Sequence, residues 1–219
     1  MDVSAVLEII GVVAFSMVGV FVGIEYELDV FGIFVVSLCS ALGGGIIRDL
    51  VLGVTPPVSF VRPVYTVTVL VTVVASLILF KIVDKRLSRK SVKILKKTVD
   101  FFDAVGLGVF AINGCQAAIE LGYADNFIMI VFVGAVTGVG GGMIRDVLSG
   151  RKPIVLRKEV YALAAIVGSI LYFFIHDKLN HYFAVYICAG LITVIRVLAS
   201  WRRINISYAI KNADLKIDE

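Results

Sequence analysis

Two short stretches place charge and bare backbone inside an otherwise apolar chain. Gly43-Gly44-Gly45-Ile46-Ile47-Arg48-Asp49 recurs as Gly140-Gly141-Gly142-Met143-Ile144-Arg145-Asp146, displaced by 97 residues. In both copies a glycine comes four residues after the aspartate (Gly53, Gly150), and a proline follows three residues later (Pro56, Pro153). Glycine leaves carbonyl oxygens without side-chain cover, and carbonyls are ligands for a dehydrating cation. Three glycines in a row also remove roughly 3 kcal/mol of helix propensity, and small residues let helices approach closely. The triplets therefore fit two roles, a kink that lines a path or a point of close helix packing. Arg48, Asp49, Arg145 and Asp146 also fit two. They shape the potential along a path, or each Arg locks the structure by capping carbonyls of a broken helix or pairing an Asp. Adjacent helical residues point about 100° apart, so Arg48 and Asp49 are not expected to pair with each other. The four charges sum to zero and do not by themselves select cation over anion.

The elements that carry these residues are apolar spans. The 219 residues are 59% hydrophobic and only 17% charged, with mean hydropathy +0.98, well outside the usage of soluble domains. Seven apolar runs fall at about 4–24, 31–52, 63–83, 100–120, 127–148, 158–175 and 182–200. Each is close to the ~20 residues that a bilayer core requires of a helix. The reading is an all-α integral membrane protein of seven transmembrane helices, a single domain with almost no extramembrane part. The first span opens with Asp2 and Glu8 and lacks Lys or Arg, the reverse of a signal peptide's basic start. Cys39, Cys115 and Cys188 all lie within apolar runs and read as small buried thiols.

Cations are spread unevenly. Lys81, Lys85, Arg86, Arg89, Lys90, Lys93, Lys96 and Lys97 separate helices three and four; Arg151, Lys152, Arg157 and Lys158 separate five and six. The tail adds Arg202, Arg203, Lys211 and Lys216, while 121–126 has no cation. The positive-inside rule then puts the N-terminus outside and the C-terminus in the cytoplasm. The run 81–97 reads as a solvated basic loop that favours anionic lipid; without aromatic interleaving it does not suit nucleic acid.

The repeat extends past the glycines. Phe15-Ser16-Met17-Val18-Gly19 matches Phe110-Ala111-Ile112-Asn113-Gly114, Glu8 matches Asp103 and Glu25 matches Glu120, all at a spacing of 95. Repeat one covers 4–83, a basic cytoplasmic loop 84–99, repeat two 100–175, the seventh helix 182–200 and a tail 201–219. Three spans per unit force the second copy to insert upside down, about a pseudo-two-fold axis in the membrane plane. Arg48-Asp49 then lies toward the outer side and Arg145-Asp146 toward the inner side.

The tandem GGG-x-x-R-D motifs, the three-plus-three-plus-one pattern and the F-A/S-x-x-G motif resemble the prokaryotic TRIC (trimeric intracellular cation) channels, over essentially residues 5–200. The resemblance implies a potassium-permeable cation channel of the cell membrane, a homotrimer with a pore in each protomer between the repeats. It implies helices two and five kinked at Gly43–Gly45 and Gly140–Gly142, potassium as the permeant ion and no cofactor. The alternative it carries is a secondary transporter of a small solute such as glycine, the triplets' helix termini holding a carboxylate.

The remaining polar residues are weaker signals. Glu8 and Asp103 fit either cation-attracting mouths or hydrated helix-end carboxylates. Asn113 and Gln116, one turn apart, suit interhelical hydrogen bonds. Lys158 and Glu159 read as interfacial anchors, and Arg196 is expected to snorkel to the cytoplasmic face. His176 and His181 are too isolated for a metal site, and no nucleophile–base pair suggests an enzyme.

Overall fold

The computed structural model describes residues 3–84, 89–157 and 159–202, with side chains at 5–81, 94–157 and 160–202. Its long helices are α1 (Val3–Glu25), α2 (Val30–Val51), α3 (Pro63–Asp84), α4 (Arg89–Ala118), α5 (Phe127–Leu148), α6 (Glu159–Ile175) and α7 (His181–Arg202). Six of these are long and apolar enough to cross a membrane; the apolar part of α6 is the shorter stretch Val160–Ile175.

Equivalent residues start and stop the two copies. Asp29 caps α2 by accepting from the Gly32 amide (2.6 Å), and Asn126 caps α5 by accepting from Met129 (3.0 Å). Each cap satisfies an amide that the first helical turn leaves without a partner. At the other ends Gly53 (φ 74) and Gly150 (φ 70) take the left-handed conformation that glycine adopts without steric cost. Helix α1 ends near Glu27 (φ 55), and α4 correspondingly runs on past Ala118 until Gly122 (φ 90) breaks it.

Helices α2 and α5 pack along each other at the centre, flanked by α1 and α4. Helix α3 lies against α1, and α6 against α5; α7 closes over α4 and α6. This is the inverted pair of three-helix repeats with a seventh helix added. Two boundaries differ from the sequence reading. Helix α4 begins at Arg89 instead of 100, so most of the segment read as a loop is helical. Lys and Arg are good helix formers, and loss of hydropathy marks where lipid would end, not where the helix does. After each motif the chain also forms a short helical turn, Val58–Val61 in repeat one and the 3₁₀ turn Ile154–Leu156 in repeat two. Lys85, Arg86, Lys158, Arg203, Lys211, Lys216 and the side chain of Glu159 fall outside the described residues, and with them part of the basic loop and the tail.

Candidate functional site

The two Arg-Asp motifs build two sites on opposite stretches of α4, at Asn113 and at Asp103. Ten residues of helix separate these positions by about 15 Å.

In the first site Asp49 is the hub. Its Oδ1 accepts from Arg48 Nε (2.8 Å) and lies 2.7 Å from Arg48 Nη2, while its Oδ2 accepts from the Val58 amide (2.8 Å). Arg48 continues outward: its Nη1 donates to Asn113 Oδ1 on α4 and lies 3.8 Å from Glu8 Oε1 on α1. Tyr65 of α3 donates its hydroxyl to Glu8 Oε2. A cavity of about 670 Å³ opens onto this group, lined among others by Glu8, Arg48, Asp49, Arg62, Asn113, Gln116 and Glu120. At the heart of the site two carboxylates face one guanidinium, a formal charge of −1.

The second site repeats the plan with different completion. Asp146 Oδ1 accepts from Arg145 Nε (2.9 Å) and Arg151 Nη2 (2.5 Å), and Oδ2 accepts from the Ile154 amide (2.8 Å). Arg145 Nη1 donates to Asp103 Oδ1 (3.0 Å). Arg196 of α7 lies 3.9 Å from Asp103 Oδ2 and 4.7 Å above the Tyr161 ring. Three guanidinium groups against two carboxylates make this site formally +1, and Arg145 is wholly buried in it.

Between the sites the glycines form the crossing of α2 and α5. A Cβ on Gly44 would overlap the Thr137 carbonyl oxygen, and one on Gly141 would overlap that of Ser40; Gly43 and Gly140 receive Ile144 and Ile47. These contacts exchange under the 97-residue displacement, as a pseudo-two-fold axis requires. The third glycine of each triplet points elsewhere: Gly45 toward Ser59 and Gly142 toward the Tyr161 hydroxyl. One glycine per turn would serve a simple crossing; three in succession serve a crossing and an adjacent polar site. The helices run unbroken through both triplets, so neither Arg caps the carbonyls of a broken helix there.

Several readings are corrected. Arg48 pairs with Asp49, and Arg145 with Asp146, because the long Arg side chain folds back around the helix although the Cβ directions diverge. Asp103 is buried beside Arg145 instead of hydrated at a helix end. Arg196 does not snorkel: it is 1% exposed, because Asp103 and the face of Tyr161 hold its head inside the bundle. The counterpart of Pro153 is Pro57, not Pro56, since each directly precedes the short turn that caps the motif aspartate. Asn113 does reach another helix, and so does Gln116, whose Nε2 lies 2.9 Å from His181 Nε2. Tyr65 and Tyr161 carry no charge and do not stand out in the sequence, although Arg62-x-Val64-Tyr65 and Lys158-x-Val160-Tyr161 carry the repeat forward at a spacing of 96. Among the described residues no three His, Cys, Asp or Glu side chains are grouped to hold a metal ion.

Inverted three-helix repeats, a glycine crossing and paired buried Arg-carboxylate sites define a polytopic membrane protein of the kind that moves solutes past a pseudo-symmetric centre. The family described as glycine transporter matches residues 5–81 and again 100–177, one match per repeat. The chain belongs to this family, whose solved members are the prokaryotic TRIC channels. It is 32% identical over 209 residues to the UPF0126 membrane protein YvgT of Bacillus subtilis, covering 94% of this chain and 98% of that one. It is 36% identical over 166 residues to the UPF0126 inner membrane protein YadS of Escherichia coli, covering 76% and 75%. Among solved structures it is similar to the TRIC orthologue of Rhodobacter sphaeroides (TM-score 0.81, 26% identity, 93% of this chain and 100% of that one). It is also similar to a prokaryotic TRIC channel solved in 0.5 M KCl (TM-score 0.80, 32% identity, 92% and 98%).

Proposed function

We propose that the protein is a cation channel, permeable to potassium, with a path through each protomer between the two repeats. The observation that carries this reading is the cavity of about 670 Å³ at the first site. Glu8 and Asp49 line it against Arg48, and the exposed Glu120 and Arg62 line it as well. A concave, low-dielectric mouth of net negative charge concentrates cations. Likeness to structures described as TRIC cation channels supports the same reading. Gly43–Gly45 and Gly140–Gly142 are the narrow centre of that path, and any bend of α2 and α5 there sets its width. Arg48, Asp49, Arg145 and Asp146 shape the potential on either side.

A carrier of a small zwitterion such as glycine is the second reading. The family's description favours it, and so does the asymmetry of the sites, one open and one closed, as alternating access requires. Purified protein in planar bilayers separates the two. Unitary potassium currents support the channel; substrate-saturable flux without unitary events supports the carrier and removes the channel.

A further inference from the structure

The two sites correspond residue by residue: Glu8 with Asp103, Tyr65 with Tyr161, Arg48 with Arg145, Asp49 with Asp146, and the Val58 amide with that of Ile154. Two cations of the second site have no counterpart. Arg151 stands where repeat one has Val54; the two amides bond the carbonyls of Asp146 and Asp49 at 3.0 and 2.8 Å. Arg196 comes from α7, which belongs to neither repeat.

In the first site the space beside Glu8 and Tyr65 belongs to the open cavity. In the second, the space beside Asp103 and Tyr161 is taken by the Arg196 guanidinium. Its attachment is light. Arg145 makes hydrogen bonds to both Asp103 and Asp146. Arg196 Nε and Nη2, and Asp103 Oδ2 which faces them, have no hydrogen-bond partner among the described residues. What holds the charge is one long ion pair and the face of an aromatic ring. A free cation at this point would meet the same two attractions.

On the cation-path reading above, we infer that Arg196 is a tethered cation that occupies the second site in place of a passing one, so that α7 must withdraw it before ions cross that half. The charge count agrees. Without Arg196 the second site is neutral, and with it a permeating cation meets a formal +1.

The test compares wild type with Arg196→Gln, Arg196→Met and Arg196→Lys in planar bilayers under a potassium gradient. Removing the charge in the Gln and Met variants raises potassium flux by about tenfold, the low end of the roughly 10–10³-fold by which the charge lining a cleft alters ion access. The Lys variant keeps the charge and stays near wild type. A conducting wild type unchanged by Gln and Met overturns the inference, and so does a Lys variant that rises with them, since packing would then be the cause. A second readout needs no current. Ser149→Cys lies at the end of the helix that carries Arg145 and Asp146, where the native hydroxyl donates to the Arg145 carbonyl. In a chain with its native cysteines replaced, it reacts about tenfold faster with a small cationic thiol reagent when Arg196 is Gln. Silence of every chain in bilayers removes the channel reading. The thiol rates then still decide the plug: faster reaction supports it, and equal rates remove it too.

Discussion

At the scale of single residues, the repeated motif solves one local problem twice. A helix ends in apolar surroundings, the chain turns back over it, and the first amide of the returning turn needs an acceptor. Asp49 and Asp146 supply it, and the preceding Arg neutralises each aspartate. The two copies differ in surroundings, and their variants should differ accordingly. Asp146 is the only described acceptor for Arg151 and shares Arg145 with Asp103. Asp146→Ala therefore leaves the buried Arg145 and the partly buried Arg151 short of partners, at a cost of about 3–5 kcal/mol. Asp49→Ala is milder, about 1–3 kcal/mol, because Arg48 keeps Asn113 and Glu8 and borders the open cavity. Thermal unfolding of the two variants in one detergent checks this. An Asp49→Ala loss equal to or above that of Asp146→Ala contradicts the asymmetry.

At the scale of the element, the glycine triplets are where helix geometry and packing meet. Successive residues on a helix face directions about 100° apart, so the three glycines of α2 serve different neighbours. Gly44 meets a backbone carbonyl that cannot move aside, and Gly44→Ala should destabilise by the 1–3 kcal/mol or so typical of overpacking. Gly45→Ala would place its methyl 3.8 Å from Ser59 Oγ, an ordinary contact. That substitution should be neutral or gain up to about 1 kcal/mol of helix propensity. The pair makes a matched control: same helix, same mutation, adjacent positions. Equal melting temperatures for the two variants would show that α2 and α5 do not touch at Gly44.

At the scale of the whole molecule, orientation and assembly each have a direct test. With the N-terminus outside, a cysteine placed at Asp125 in the α4–α5 turn should label with a membrane-impermeant reagent added to intact cells. Cysteines in 81–97 should label only after the membrane is opened. The reverse pattern would exchange the sides of the two sites and put the open cavity in the cytoplasm. For assembly, native mass spectrometry of the detergent-released protein should show three chains of 23.7 kDa. A stable monomer or dimer that still conducts would disprove the trimer while leaving a path within each protomer intact.

Class, span number, repeat and inversion were legible in the sequence because they depend only on linear order. Hydropathy runs measure how much chain lipid can cover, and an odd number of spans per repeat inverts the second copy whatever the side chains do. The motif residues were legible for the same reason, since charge and glycine stand out against an apolar background. Their partners were not. Whether Arg48 turns to Asp49 or to another helix, whether Asp103 is wet or buried, and whether Arg196 leaves the bundle or enters it all depend on how each helix is rotated against its neighbours. A long guanidinium side chain reaches a wide arc from any one Cα, and spacing along the chain does not limit that arc. Packing does. The tertiary structure alone decided that one site opens to a cavity while its pseudo-symmetric mate is filled by a residue from outside the repeat.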